Sequence, residues 1–155
     1  MSTSVEFSEI VRFLQDDEWK FSVDEEERIT MGLTGKHASY RILIRFRPDK
    51  DIIIVRVYYP VRVPEDKRRD ICETITRANY GLMLGCFEMD MSDGELLYRT
   101  AMPVDDAPLY REQLKTILYT ACGTADRYYP AIMGVLYGGK EPEAAIAEVE
   151  EDQGS

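Results

Sequence analysis

Histidine is almost missing from this chain: His37 is the only one in 155 residues. Cysteine is scarce too, with Cys72, Cys86 and Cys122 lying 14 and 36 residues apart. With a single histidine and no CxxC, that spacing fits neither a zinc site nor a redox pair. Each cysteine reads as a small buried hydrophobe, and no metal or cofactor is implied. Long apolar runs are also lacking. No stretch approaches the roughly 18–20 apolar residues of a membrane span, and Met1 to Glu9 has neither the basic start nor the apolar centre of a secretory signal. The reading is a cytoplasmic protein with no membrane partner.

Basic residues are rare at both ends. Residues 1–27 hold nine acids and two bases, and residues 141–155 hold six acids and no base. The stretch between them has 14 acids and 17 bases, so the net charge of −10 belongs to the termini around a mildly basic centre. A net negative chain disfavours non-specific binding to nucleic acid or an anionic bilayer. What is present suits one folded domain: 45% apolar and 31% charged residues in a chain of this length can bury a single core.

Local patterning gives the elements. Val5, Phe7, Ile10, Val11, Phe13 and Leu14 recur at helical spacing after Ser4, a potential N-cap, and the helix stops near Asp16. Trp19, Phe21 and Val23 alternate, as do Ile29, Met31 and Leu33 after the acidic turn Asp24 to Glu27, and alternation marks half-buried strands. Tyr40 to Tyr59 reads as a hairpin turning at Pro48-Asp49-Lys50-Asp51. If Arg47 opposes Ile52, then Ile53, Val55, Val57 and Tyr59 face the core, while Arg41, Arg45, Arg47 and Arg56 share the other face with Leu43, Ile52, Ile54 and Tyr58. Pro64 opens a second helix running to about Tyr80. A second hairpin turns at Asp93-Gly94, and a long helix follows with Leu114, Ile117, Leu118, Ala121, Ala125, Tyr128, Ile132 and Val135 on one stripe. Pro130 predicts a kink or break in it, and Gly138-Gly139 a left-handed stop.

The order α-β-β-β-β-α-β-β-α, in which the first two strands can be counted differently, argues for an α+β fold with an antiparallel sheet of about five strands. The domain is placed at 1–140. Residues 141–155 form an acidic C-terminal tail with a short helix from Pro142 to Val149 and then disorder.

Two stretches resemble a known family. Asn79-Tyr80-Gly81-Leu82-Met83-Leu84-Gly85-Cys86-Phe87-Glu88-Met89-Asp90, followed by Asp93-Gly94-Glu95-Leu96-Leu97-Tyr98-Arg99, resembles the YbjN family, bacterial proteins described as sensory transduction regulators. Ala125-Asp126-Arg127-Tyr128-Tyr129-Pro130-Ala131-Ile132-Met133, with Tyr137-Gly138-Gly139-Lys140, is similar to the family's C-terminal helix in the form seen in cyanobacterial members. The likeness runs from about Phe7 to Ala144. It implies a fold similar to type III secretion chaperones, with helices on one face of the sheet, a homodimer, no catalytic residues, and action by binding protein.

The carboxylate pairs Asp16-Asp17, Asp105-Asp106 and Glu150-Glu151 lie at element ends, where acids cap helices or stay solvated. His37 lacks an orienting group in sequence. Gly138-Gly139-Lys140 has a helix before it, where a phosphate loop needs a strand before it and a helix directly after its Ser/Thr, so it is no phosphate loop. Asp90 to Glu95 is too short for a calcium loop and reads as a hairpin turn. In the tyrosine doublets one ring can face the core and the other outward. The sharper candidate is the face bearing Arg41, Arg45, Arg47, Arg56 and Tyr58, a surface for a protein or peptide partner of acidic character, or for a second copy. The alternatives are a solvated face, or one neutralised by Asp24 to Glu27 or by the C-terminal tail. The competing function is a small-molecule or nucleotide sensor, or an enzyme, with its site near His37.

Overall fold

A computed structural model describes residues 4–104 and 111–151. Asp105 and Asp106 lie outside the described residues, as do residues 152–155. Helix α1 (Val5–Asp16) starts where the Ser4 hydroxyl accepts the Phe7 amide at 3.1 Å and buries Phe7, Ile10, Phe13 and Leu14. Strands β1 (Phe21–Val23), β2 (Ile29–Thr34), β3 (Ser39–Arg47) and β4 (Ile52–Arg62) follow as an antiparallel meander. A 3₁₀ turn at Glu65–Lys67 leads into α2 (Arg68–Tyr80). Then come β5 (Cys86–Met89), β6 (Glu95–Pro103), α3 (Arg111–Tyr137) and α4 (Pro142–Glu151).

The sheet has six strands in the order β1-β2-β3-β4-β6-β5, all antiparallel, one more than the sequence reading's rounded figure. Six is also the number in the element order read from the sequence; β1, within the Trp19 to Val23 alternation, is a three-residue edge strand. Because side chains alternate, one row of each strand points to one core: Ile29, Ile44 and Val55 lie side by side across β2, β3 and β4, as do Met31, Ile42 and Val57. Most of these side chains are fully buried, and the helices pack over them from one side into a single apolar cluster. Each buried Ile or Val stabilises by roughly 1.5–3 kcal/mol. No helix is long and apolar enough to cross a membrane among the described residues.

At 27 residues α3 is about 40 Å long. It continues through Pro130 without a break. Gly139 takes φ +66° after it, the left-handed stop expected there. Of the acidic segment 141–155, the described part forms α4, whose Ala145, Ile146 and Val149 are buried in the core against α2 and α3.

Polar contacts fix α3 on the sheet. The Tyr59 hydroxyl donates to the Ala125 carbonyl at 2.6 Å in a buried site. The Asp126 carboxylate accepts the Lys36 amide at 2.8 Å, the His37 amide at 3.0 Å and the Tyr40 hydroxyl at 2.8 Å. It thus caps the β2–β3 loop from 90 residues away in sequence. Gly35 permits the approach, since a Cβ there would lie 2.6 Å from the carboxylate. At the far edge of the sheet, the Asn79 side chain does for β5 what another strand would. Its Oδ1 accepts the Phe87 amide at 2.7 Å and its Nδ2 donates to the Phe87 carbonyl at 3.1 Å.

Two predictions follow from these anchors. Partial burial pushes the Asp126 carboxyl up, but the His37 amide, the Tyr40 hydroxyl and the Lys36 amide outweigh it and leave the group below its usual range. Its stabilisation is full above the unfolded carboxyl value of about 3.9 and is lost as pH falls through the lower folded value. Asp126→Ala should therefore lower stability by about 2–3 kcal/mol at neutral pH, with a smaller loss below that range, as read by urea unfolding across pH. Asn79→Ala should cost about 1–2 kcal/mol and speed amide exchange at Phe87.

Candidate functional site

The face of the sheet turned away from the helices is built by the same alternation that builds the core. Arg47 stands opposite Ile52, Arg45 opposite Ile54, Leu43 opposite Arg56, and Arg41 opposite Tyr58. All five residues singled out from the sequence, Arg41, Arg45, Arg47, Arg56 and Tyr58, therefore lie on this one face. Strand β6 extends it, with Leu97 beside Tyr58, Arg99 beside Arg56 and Ala101 beside Ile54. Leu97 is buried yet stands outside the main core, so this face has a small apolar patch of its own.

The arginines differ in what they touch. Arg47 is held by Asp49 in its own turn, with two hydrogen bonds of 3.0 and 2.9 Å. Arg99 is paired with Glu88 at 2.8 Å. Arg41 lies over the Tyr58 ring, 4.2 Å from its centroid, a cation–π contact. Among the described residues Arg41, Arg45 and Arg56 make no ion pair. Arg56 faces the cationic Arg99 directly across the strands, an arrangement that leaves positive charge in excess. Half-buried Leu43, Ile52 and Ile54 lie between these guanidinium groups.

Among the described residues, no ion pair joins either candidate neutralising segment to Arg41, Arg45 or Arg56. Asp24 closes its own turn, accepting the Glu26 and Arg28 amides at 2.9 and 3.0 Å and the Arg28 side chain at 2.7 Å. Of the described C-terminal acids, Glu150 accepts the Tyr128 hydroxyl at 2.9 Å and Glu148 pairs with Lys140, both on the helical side. At one end of the face an open groove of about 870 Å³ runs past Phe21, Thr30, Arg41, Tyr58 and Arg62. A bulge in β4 between Tyr58 and Arg62, around Pro60, shapes its wall. The arrangement can hold an extended segment carrying carboxylates between apolar side chains.

Other sequence candidates resolve differently. Asp16 and Asp17 are not merely solvated: Asp16 accepts Arg111 at 2.6 Å and Asp17 accepts the Tyr119 hydroxyl at 2.6 Å, which ties the end of α1 to α3. Glu150 likewise has a partner. Cys122 is buried, its thiol pushed up to about 12 by desolvation, but Cys86 is only half-buried and Cys72 is exposed, because it falls on the solvent side of α2. In the Tyr58-Tyr59 doublet, Tyr59 is buried and Tyr58 is on the open face. Tyr128 and Tyr129 both pack against aromatic neighbours. Of Asp93-Gly94 only Gly94 takes a positive φ.

Three functional candidates escaped the sequence reading. Leu97 and Arg99 were legible as alternating residues of β6, but their place beside β4 depends on pairing across α2. The third is the end of α2 and the loop after it, where Tyr80 and Met83 are 97% and 98% exposed.

No curated protein matches this sequence. The fold is shared with solved structures. One is YbjN, "a putative transcription regulator from E. coli", with a TM-score of 0.58 and 10% identity over 95% of this chain and 92% of that one. Another is ExsC in the ExsC–ExsE complex, with a TM-score of 0.58 and 14% identity over 79% of this chain and 92% of that one. The α+β, type III secretion chaperone-like architecture implied by the motifs is thus the one present. The model of the YbjN family, described as "Putative bacterial sensory transduction regulator", matches residues 7–133, and the chain belongs to that family.

Proposed function

We propose that this protein is a non-enzymatic adaptor, regulator or chaperone-like module that acts in the cytoplasm as a homodimer and binds a protein partner on its helix-free sheet face. The observation that carries this reading is the triplet Arg41, Arg45 and Arg56, which make no ion pair among the described residues and alternate with Leu43, Ile54 and Tyr58. Arginine and tyrosine around an apolar patch are enriched where proteins meet. Uncompensated guanidinium groups select an acidic partner through bidentate carboxylate contacts. The ExsC–ExsE complex supports the reading by analogy, since a chain of this fold is there seen with a protein ligand.

The partner is recovered by affinity purification of the full chain from its native cells. Arg45→Glu together with Arg56→Glu should weaken its binding by about tenfold or more while the circular dichroism spectrum stays unchanged. Equal affinity would remove this face as the site, and recovery of no protein ligand would overturn the adaptor reading. Light scattering at micromolar concentration should give twice the 17.9 kDa of one chain; a monomer mass would refute the dimer.

A further inference from the structure

On the helical side a second concavity, of about 230 Å³, lies where the β2–β3 loop, α3 and α4 meet. Its walls carry Lys36, His37, Arg127, Pro130, Lys140 and Glu148, three fixed cations and a histidine against one acid. It is separate from the arginine sheet face.

Arg127 sets the chemistry. Its Nε is buried and has no hydrogen-bond partner among the described residues. Its guanidinium carbon sits 5.2 Å from the centroid of the Tyr128 ring. The Tyr128 hydroxyl cannot serve it, being committed to Glu150 at 2.9 Å. The two nearby carboxylates are also engaged: Glu148 with the Lys140 ammonium, and Asp126 with the Lys36 and His37 amides and Tyr40. A buried donor left unpaired is costly, and more so on a charged group. No ion pair or hydrogen bond to the rest of the guanidinium is found among the described residues either, and an oxyanion in the cavity can accept from its terminal nitrogens, whose fork matches such oxygens.

We propose that this cavity binds a phosphate group, free or as the phosphoryl group of a small metabolite. Half-buried Arg127 is its guanidinium ligand and Lys36 and Lys140 its flanking cations. A space of about 230 Å³ admits a tetrahedral oxyanion. The site gives a location to the sensor alternative placed near His37, and it is independent of the sheet face.

The test is calorimetric titration of the full chain with sodium phosphate and, separately, with adenosine diphosphate, each against sodium chloride at equal ionic strength. Saturable phosphate binding is expected, about tenfold weaker in Lys36→Gln and lost in Arg127→Gln. Arg45→Gln, on the other side of the sheet, should bind as the unaltered protein does. Lys36 is exposed, so its variant keeps the test decisive if Arg127→Gln does not fold. Tighter binding of adenosine diphosphate, displaced by phosphate, assigns the group to a larger metabolite; binding of phosphate alone assigns the free ion. No saturable binding of either probe, or affinity unchanged in Lys36→Gln, overturns the proposal.

Discussion

The register of one hairpin governs both faces of this molecule. With Arg47 opposite Ile52, every second residue of β3 and β4 enters the core and every other one faces away from the helices. A slip of one residue on either strand would turn its whole set over. For β3 that would drive Arg41, Arg45 and Arg47 under the helices and expose Ile42, Ile44 and Phe46. Burying a guanidinium group without a partner costs several kcal/mol, so the hydrophobic pattern and the charge pattern enforce the same pairing. The arginine face is therefore a by-product of the same constraint that makes the core.

Long-range polar contacts complete what the apolar pattern leaves undetermined. Hydrophobic burial is non-directional and does not fix where α3 lies along the sheet. Asp126 does, by accepting from two loop amides and Tyr40, and Tyr59 adds a buried bond to the Ala125 carbonyl on the same turn. Asn79 closes the open edge of β5 at Phe87, which limits strand addition there. Asn79 and Phe87, like Asp126 and Tyr129, belong to the two stretches that carry the family resemblance, so part of those motifs encodes anchoring of the fold.

Local elements were legible in the sequence because their physics is local. The Ser4 cap, the alternation from Tyr40 to Tyr59 and the apolar stripe of α3 each depend on neighbours within a few residues. Contacts across the chain were not. Nothing near Asp16 or Asp17 signals Arg111 or Tyr119, and nothing near Lys36 signals Asp126. The pairing of β4 with β6 skips α2 and β5, and with it Leu97 and Arg99 dropped out of the predicted face. The pairing of Tyr128 with Glu150 was hidden for the same reason, because α4 reads by composition as a solvated acidic tail and only its spacing of Ala145, Ile146 and Val149 shows a buried side.

Where the acids go decides what the net charge means. Of the terminal carboxylates that have partners, Asp24 and Glu26 hold Arg28 in their own turn, and the others are engaged on the helical side, Asp16 with Arg111, Asp17 with Tyr119, Glu143 with Arg77, Glu148 with Lys140 and Glu150 with Tyr128. None crosses to the sheet face, where Glu88 and Asp49 each answer only the arginine beside them. An approaching macromolecule thus meets a molecule that is negative in sum and positive on one side. At a Debye length of about 8 Å in physiological salt, such a partner responds to the nearer face more than to the total. In the proposed adaptor, an acidic segment would be steered onto Arg41, Arg45 and Arg56 despite the net charge of −10.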